Sequence, residues 1–171
     1  ICAALRAKKH VVTANKQLMC AYYDELTALS RENGVSLRCT AAAGGGIPWL
    51  SSLARAASVD AIISVSGIMN GTSNYILDAM SRRGMDYAAA LSDAQRLGYA
   101  EADPTADVCG LDTRRKLVLS ANLAFGASVR EEEIPCILCV NKIDTVEPAE
   151  LLPVIAAYSA AWDGFDAIIP I

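Results

Sequence analysis

The sequence predicts an α/β fold in which helices cover short parallel strands. Short apolar runs rich in β-branched residues, typical of buried strands, alternate along the chain with longer segments whose apolar residues recur at helical spacing. Hydrophobic residues make up 53% and charged residues 20% of the 171-residue chain. This balance suits a globular protein and excludes a disordered one.

The opening of the chain predicts the order strand, helix, strand. Residues 10–14, HVVTA, form a short β-branched run, and residues 35–43, VSLRCTAAA, form another. Between them, apolar residues recur at helical spacing from Asn15 to Asn33, where Asn33 and the following glycine stop the helix. Such a unit is typical of a parallel sheet covered by helices.

A glycine-rich segment, GGGIPWL, follows at residues 44–50. Glycine permits backbone conformations that side chains forbid, so the segment is either a tight turn alone or a hinge or binding loop. Pro48 suits the first turn of a helix, which we expect to run to about Ala57.

Further strands and helices are predicted in the middle of the chain. Residues 60–69, DAIISVSGIM, predict a strand. The next segment, residues 70–83, predicts a helix whose start has capping side chains from Asn70 to Ser73. Two more helices are predicted over residues 87–97 and 112–125, and the second of these is closed by a glycine.

The end of the chain predicts a complete βαβ unit. Residues 134–144 form an apolar strand that ends in a polar turn, a helix begins at Pro148, and residues 165–171, FDAIIPI, form another strand. The chain starts at Ile1 inside an apparent helix and stops on this last strand. We therefore expect it to be a piece of a longer protein.

Composition excludes several classes of function. The net charge of −4 comes without a basic run, so we expect no nucleic-acid partner. No apolar stretch approaches the roughly 18 to 20 residues of a membrane span and the first residues lack the layout of a signal peptide, so we expect a cytoplasmic protein with no membrane partner. The six cysteines lack a framework of spacings and are expected to be reduced and mostly buried; Cys136 and Cys139 form a CxxC, but the apolar residues between them favour a strand over a metal site.

An acidic stretch precedes a lysine at the start of the predicted helix 112–125. Asp112 and Lys116 are four residues apart and would lie on one helix face, where an isolated surface pair is worth about 0.5 kcal/mol or less. This pair is not isolated, because Glu101, Asp103 and Asp107 precede it in a loop bounded by glycine and proline. Acids that hold an amino group beside a lysine suit a site for an amino acid with a reactive carbonyl.

Residues 94–116, AQRLGYAEADPTADVCGLDTRRK, resemble the signature of homoserine dehydrogenases position by position. Three further segments agree in order: KKHVVTANK near the start, GGGIPWL, and GIMNGTSNYIL. The resemblance covers roughly residues 1 to 135. It implies that residues 1–43 are the end of a dinucleotide-binding Rossmann domain and that residues 44–133 are an α+β substrate domain containing a mixed sheet with helices.

The resemblance implies the reduction of L-aspartate 4-semialdehyde to L-homoserine by NADH or NADPH, on the route to threonine, methionine and isoleucine. Lys116 would exchange the proton with the substrate oxygen, Asp112 would hold and tune Lys116, and Lys16 would be the second lysine near the reacting carbon. The remaining implied contacts are Glu101, Asp107, Gly98 and Tyr99 for the substrate, with the two acids on its amino group, and Asn15, Gly44 and Gly45 for the cofactor.

A monovalent cation and a second copy of the chain are further implications. In the family, backbone carbonyls of the glycine region bind Na⁺ or K⁺; here these would be Ala43, Gly45 and Ile47. The chain departs from the family at Thr40, where an acidic residue is common, so the cation is the weaker implication. The family pairs through substrate-domain sheets, which implies a homodimer through the strand at 60–69.

One expected element is missing. A nicotinamide enzyme of this type needs a phosphate-binding GxGxxG turn between a strand and a helix, and the sequence contains none. We expect the chain alone to bind the dinucleotide poorly and to turn over slowly or not at all.

A second resemblance concerns the predicted tail, residues 134–171. ILCVNKID, at 137–144, resembles the guanine-reading NKxD motif of GTPases of the Era type, in which Asn141 and Asp144 would read the guanine edge and Lys142 would pack along the base. A solvated turn is the simpler interpretation of so short a motif. Without a GxxxxGK[ST] loop, GTP hydrolysis is excluded, which leaves a partial GTPase-like tail, a guanine-nucleotide-binding module, or a nonfunctional chimeric product of two genes.

Overall fold

The computed structural model describes residues 1–140, 147–161 and 165–170. The chain divides into two compact units, Ile1–Glu131 and Glu132–Ile171. Helices and short parallel strands make up both units, so the predicted α/β class is confirmed. No helix of the described part is long and apolar enough to cross a membrane.

The first unit opens with the expected strand, helix, strand order. After helix α1 (Cys2–Arg6), strand β1 (Val11–Val12) pairs in parallel with β2 (Leu37–Arg38). Two helices, α2 (Lys16–Ala21) and α3 (Tyr23–Glu32), connect these strands, not the single helix that periodicity predicted.

Local backbone geometry explains where this unit differs from the prediction. Tyr22, between α2 and α3, has φ −130° and ψ 27°, which is not a helical conformation, so the helix breaks there. The second strand is also shorter than the predicted 35–43, because residues Thr40–Ala42 form a 3-10 turn. Apolar composition alone does not reveal where a strand leaves its partner.

Helix α4 (Trp49–Ala57) follows Pro48 as predicted, but the predicted strand at 60–69 is wrong. Residues 61–69 contain only one bend and otherwise no regular secondary structure. A strand exists only where its backbone pairs with another strand, and among the described residues of this unit β1 and β2 pair only with each other. The segment therefore leaves Ile63 94% and Ile68 81% exposed.

Helices α5 (Gly71–Arg83), α6 (Tyr87–Arg96), α7 (Thr105–Val108) and α8 (Leu111–Phe125) complete this unit. α5, α6 and α8 confirm the prediction, whereas α7 lies in the acidic stretch that was expected to be a loop. Small buried side chains let α5 and α6 approach closely, in a cluster formed by Ile76, Ala79, Ala90, Ala94 and Ala100. On α8, Val118 and Leu119 are almost completely buried and anchor the helix in the core.

The second unit is the predicted βαβ unit. Strands β3 (Ile137–Val140) and β4 (Ala167–Pro170) pair in parallel, and helix α9 (Pro148–Ala161) lies between them in sequence. Pro153 lies inside α9 and removes one helical hydrogen bond.

The cysteines are all free, as expected, but most of them are not buried. Only Cys20 is buried; Cys109 and Cys139 are exposed and the other three are intermediate. The prediction of mostly buried thiols was therefore wrong. Composition predicts a reduced thiol, whereas burial depends on which helix face carries it.

Candidate active site

A cleft of about 710 Å³ opens in the first unit. Its walls include residues 41–45 and 66–71, and three charged side chains reach it from two helices: Lys16 from α2, and Asp112 and Lys116 from α8. A cleft of this size is in the range of small-molecule sites. It is therefore the candidate active site of this unit.

Asp112 lies between the two lysines. The Lys116 ammonium is 2.6 Å from Asp112 Oδ2, one helical turn away, and the Lys16 ammonium donates to Asp112 Oδ1. All three side chains are largely removed from water, with exposed fractions of 15% for Asp112, 20% for Lys116 and 21% for Lys16. Asp112 and Lys116 of the acidic signature therefore form one charged cluster with the early Lys16.

Lys116 has a second acceptor in the cleft wall. Its ammonium donates to the backbone oxygen of Met69 at 2.6 Å. Because a lysine ammonium has three N–H bonds, and Asp112 and Met69 account for two, one N–H bond is without an acceptor among the described residues. Lys116 is thus held in place and retains one donor for a ligand.

The carboxylate of Asp107 is joined to this cluster through Asn70. The Asn70 amide nitrogen donates to Asp107 Oδ1 at 2.7 Å and to Asp112 Oδ2 at 3.0 Å, while its oxygen accepts from the backbone N–H of Ser73 at 2.7 Å and so caps α5. Asn70 is buried, with 7% of its surface exposed. It lies between two carboxylates and a helix terminus.

The net effect of these surroundings is to lower the pKa of Asp112. Burial by itself raises this pKa, but the hydrogen bonds from Lys116, Lys16 and Asn70 together lower it by more. The carboxylate is therefore ionised at neutral pH, and its negative charge is available to hold both lysines.

Buried polar contacts fix α8 behind the cleft. The Trp49 indole N–H donates to the Ser120 hydroxyl at 2.8 Å, and this hydroxyl donates to the backbone oxygen of Lys116 at 2.7 Å. From α2, the Cys20 thiol donates to the backbone oxygen of Arg115 at 3.3 Å. Burial raises the pKa of Cys20 to about 11, so this thiol remains protonated and acts as a packing group.

The glycine loop forms one wall of the cleft. Gly44 and Gly45 have φ values of +83° and +57°, which side chains rarely adopt, and a Cβ on Gly44 would lie 3.1 Å from the backbone oxygen of Ile47. This oxygen also accepts from the backbone N–H of Trp49 at 2.7 Å. One of the three carbonyls expected to bind a cation, those of Ala43, Gly45 and Ile47, therefore already has a hydrogen-bond partner.

Five of the expected contacts do not line the cleft, and one of them, Asp107, is joined to it only through Asn70. Glu101 is exposed, and its backbone oxygen accepts from Gln95. Tyr99 stacks on Tyr75 with ring centroids 4.8 Å apart, and Gly98 lies directly before it. The side chain of Asn15 caps α2 by accepting from the Leu18 N–H.

The remaining expected residues fall outside the part of the chain that the structure describes. These are Asn141, Lys142 and Asp144. Within the described part, no group of three or more histidine, cysteine or acidic side chains could hold a metal ion.

Sequence reasoning missed two contacts of the cluster. The Met69 carbonyl could not have been found, because a backbone oxygen carries no residue-specific signal. For residues 70–75, which include Asn70, the helix cap and the family resemblance together predict a mixed role near the pocket, but not the two carboxylates that the Asn70 amide contacts. An asparagine cap uses its side-chain oxygen and keeps two N–H donors, so an asparagine cap in a chain that also carries an acidic stretch is a usable signal.

The family model for homoserine dehydrogenase matches residues 48–160. The homoserine dehydrogenase of Synechocystis sp. is 42% identical over 166 residues, which are 96% of this chain and 38% of that protein. The match thus extends into the tail, and the comparisons give no support to the GTPase resemblance of residues 134–171.

Two solved structures are also similar. A homoserine dehydrogenase from Thiobacillus denitrificans superimposes with a TM-score of 0.72 and 41% identity, covering 80% of this chain and 31% of that one. A hyperthermophilic archaeal homoserine dehydrogenase in complex with NADPH gives a TM-score of 0.69 and 28% identity, covering 81% of this chain and 41% of that one.

The comparisons agree that the similar proteins are homoserine dehydrogenases and that this chain covers less than half of the length of each. The chain spans only 38% of the length of its Synechocystis relative. The family model nevertheless matches about two thirds of the chain, including the helix that carries the aspartate and lysine of the cleft. This chain belongs to the homoserine dehydrogenase family.

Proposed function

We propose that this chain carries the substrate-binding and proton-transfer part of an NAD(P)-dependent homoserine dehydrogenase, which interconverts L-aspartate 4-semialdehyde and L-homoserine. The observation that carries the proposal is the Asp112 carboxylate, held between the ammonium groups of Lys16 and Lys116 at a cleft. Two cations beside a small-molecule cleft suit a reaction in which a carbonyl oxygen gains negative charge.

Lys116 transfers the proton in this proposal. Its N–H bond without an acceptor hydrogen-bonds the aldehyde oxygen and delivers the proton when the alcohol forms. In the reverse direction it removes the proton from the hydroxyl of homoserine. Lys16 adds positive charge near the same oxygen, and Asp112 keeps both lysines in place because it accepts from each.

The nicotinamide supplies the hydride when it is bound. The residues present fit the reacting end of such a cofactor, because Gly44 and Gly45 give the cleft a wall of backbone next to the lysines. We propose these glycines and Asn15 as its contacts. The dinucleotide in the archaeal relative, NADPH, supports a nicotinamide cofactor of either kind.

Asp107 is proposed to hold the substrate's amino group. Its carboxylate lies next to Asp112, bridged by the Asn70 amide. Glu101, Gly98 and Tyr99 remain proposed substrate contacts, although, like Asp107, they do not line the cleft.

A second copy of the chain is the proposed partner. The exposed Ile63 and Ile68 lie in the segment 60–69, whose apolar side chains would be covered by a homodimer contact. A bound Na⁺ or K⁺ at the glycine loop also remains a proposal, and no step of the reaction depends on it.

Titration calorimetry with two ligands tests the function. L-homoserine is compared with L-2-aminobutyrate, which has the same amino acid group but lacks the hydroxyl that Lys116 would contact. We expect homoserine to bind about tenfold or more tightly, because one hydrogen bond to a charged group is worth about 1.5 to 3 kcal/mol.

Matched variants identify the group responsible. Lys116→Met should abolish the preference for homoserine, whereas Arg82→Met removes an exposed cation from α5 and should preserve it. Equal binding of the two ligands by the unmodified chain would contradict the proposal. Turnover, followed through reduced-nicotinamide absorbance, is expected to be slow because the phosphate-binding glycine turn is absent from the sequence.

A further inference from the structure

Asn70 makes three hydrogen bonds with one side chain at the edge of the cleft. Its oxygen accepts from the backbone N–H of Ser73, and its nitrogen donates to Asp107 Oδ1 at 2.7 Å and to Asp112 Oδ2 at 3.0 Å. Only 7% of its surface is exposed. Both the oxygen and the nitrogen of this amide are therefore hydrogen-bonded within the protein, and the side chain is largely shielded from water.

The partners permit only one orientation of this amide. A backbone N–H only donates and an ionised carboxylate only accepts, so turning the amide around would place donor against donor and acceptor against acceptor. The start of α5 thus fixes the direction in which the Asn70 nitrogen points. Helix capping and carboxylate binding are coupled in one group.

The two carboxylates need such a donor. Asp107 and Asp112 both contact one nitrogen atom, so their charges are close together and repel each other. The charged groups facing Asp112 are Lys116 on its own helix α8, Lys16 from α2, and Asp107 from α7 across Asn70. Both lysines contact Asp112, and Asn70 is the donor shared with Asp107.

We propose that Asn70 is a positioning residue of the site, which holds the carboxylates of Asp107 and Asp112 side by side through its amide N–H groups. The proposal rests on the proposed function, in which Asp107 binds the substrate's amino group and Asp112 holds the two lysines. Asn70 fixes the position of these two carboxylates relative to each other. Asn70 does not touch the reacting atoms. It orients the Asp112 oxygen that Lys116 contacts, and it joins that oxygen to Asp107.

Two substitutions separate the capping role from the positioning role. Asn70→Asp keeps a capping oxygen and the side-chain shape but replaces the donor by a third carboxylate oxygen; Asn70→Ser keeps a capping oxygen without added charge. Both variants should preserve α5, which is checked by circular dichroism and by the Ser73 backbone amide resonance.

The decisive measurement is the carboxyl titration of Asp112 by nuclear magnetic resonance, without any ligand. We expect a higher pKa for Asp112 in Asn70→Ser because a hydrogen bond to the charged form is lost, and a higher one still in Asn70→Asp because a like charge is added. Homoserine affinity should fall about tenfold in both variants. A purely structural cap would leave the Asp112 titration unchanged in both folded variants, and this result would overturn the proposal.

The unmodified chain gives an independent reading in case neither variant folds. The side-chain amide protons of Asn70 should shift with the titration of Asp112, since they donate to its carboxylate. Amide protons that do not respond to this titration would overturn the proposal. If the unmodified chain shows this response but does not prefer homoserine over L-2-aminobutyrate, the proposed function fails while the positioning of the two carboxylates stands.

Discussion

Replacing Asp112 by asparagine tests whether the charge of this group stabilises the fold. The substitution keeps the size of the side chain but leaves Lys16 and Lys116 next to each other without a counter-ion. At about 4 Å and an effective dielectric constant of about 20, each lost attraction is on the order of 4 kcal/mol before solvation is counted. The two lysines regain hydration in the variant, which offsets a large part of this loss.

The expected net cost follows from the exposure of the three side chains. Breaking a buried ion pair costs about 3 to 5 kcal/mol. Because 15 to 21% of each side chain here is exposed, the lysines can turn partly toward water, and we expect Asp112→Asn to lower the free energy of unfolding by about 2 to 3 kcal/mol.

A matched control lies on α5. Asp78 also pairs with a cation four residues on, Arg82, at 2.9 Å, but these side chains are 51% and 80% exposed. Asp78→Asn should therefore cost about 0.5 kcal/mol or less. Urea unfolding followed by circular dichroism measures both variants. Equal losses in the two would refute the reasoning, because they would mean that burial of Asp112 between two lysines adds nothing.

Three further predictions follow from the same contacts. The pKa of Asp112 is lower in the folded chain than its unfolded value of about 3.9, so the ionised carboxylate stabilises the fold above that pH, and this stabilisation is lost as pH falls through the folded pKa. The difference in unfolding free energy between the unmodified chain and Asp112→Asn should therefore shrink below about pH 4. A difference that grew at lower pH would contradict this linkage. The variants Trp49→Phe and Ser120→Ala, alone and combined, should give a coupling of about 1 kcal/mol in a double-mutant cycle, and additive losses would exclude the indole hydrogen bond as a stabilising contact. Gly45→Ala should lower the free energy of unfolding by about 1 kcal/mol because of the positive φ at this position. Gly44→Ala should lower it by more, because the new Cβ would also lie 3.1 Å from a backbone oxygen. Thermal unfolding that ranks the two variants in the opposite order would show that the loop relaxes.

Helix boundaries that depend on neighbouring residues could be predicted from the sequence. Asn70 caps α5 and Gly126 ends α8 with φ +58°, as their local chemistry requires. The pair Asp112 and Lys116 is similar, because a spacing of four residues on a helix brings the side chains together.

Features that depend on distant partners could not be predicted in the same way. The segment 60–69 has the composition of a strand, yet a strand also needs a neighbour, which composition does not report. Lys16 was assigned to the site only through the family resemblance, since no periodicity relates α2 to α8. The short helix α7 was missed because its four residues leave no room for a repeating pattern.

The hydrogen bond from Lys16 to Asp112 joins residues that are 96 positions apart. A loop of this length is closed only when the intervening helices have packed, so the charge pattern assembles with the completed unit and does not pre-exist in any peptide of it. The signature stretch transplanted into another scaffold would carry its aspartate and one lysine but lose the other cation. The complete charged cluster therefore requires the folded unit, and a transplanted version of it would have to include α2 as well.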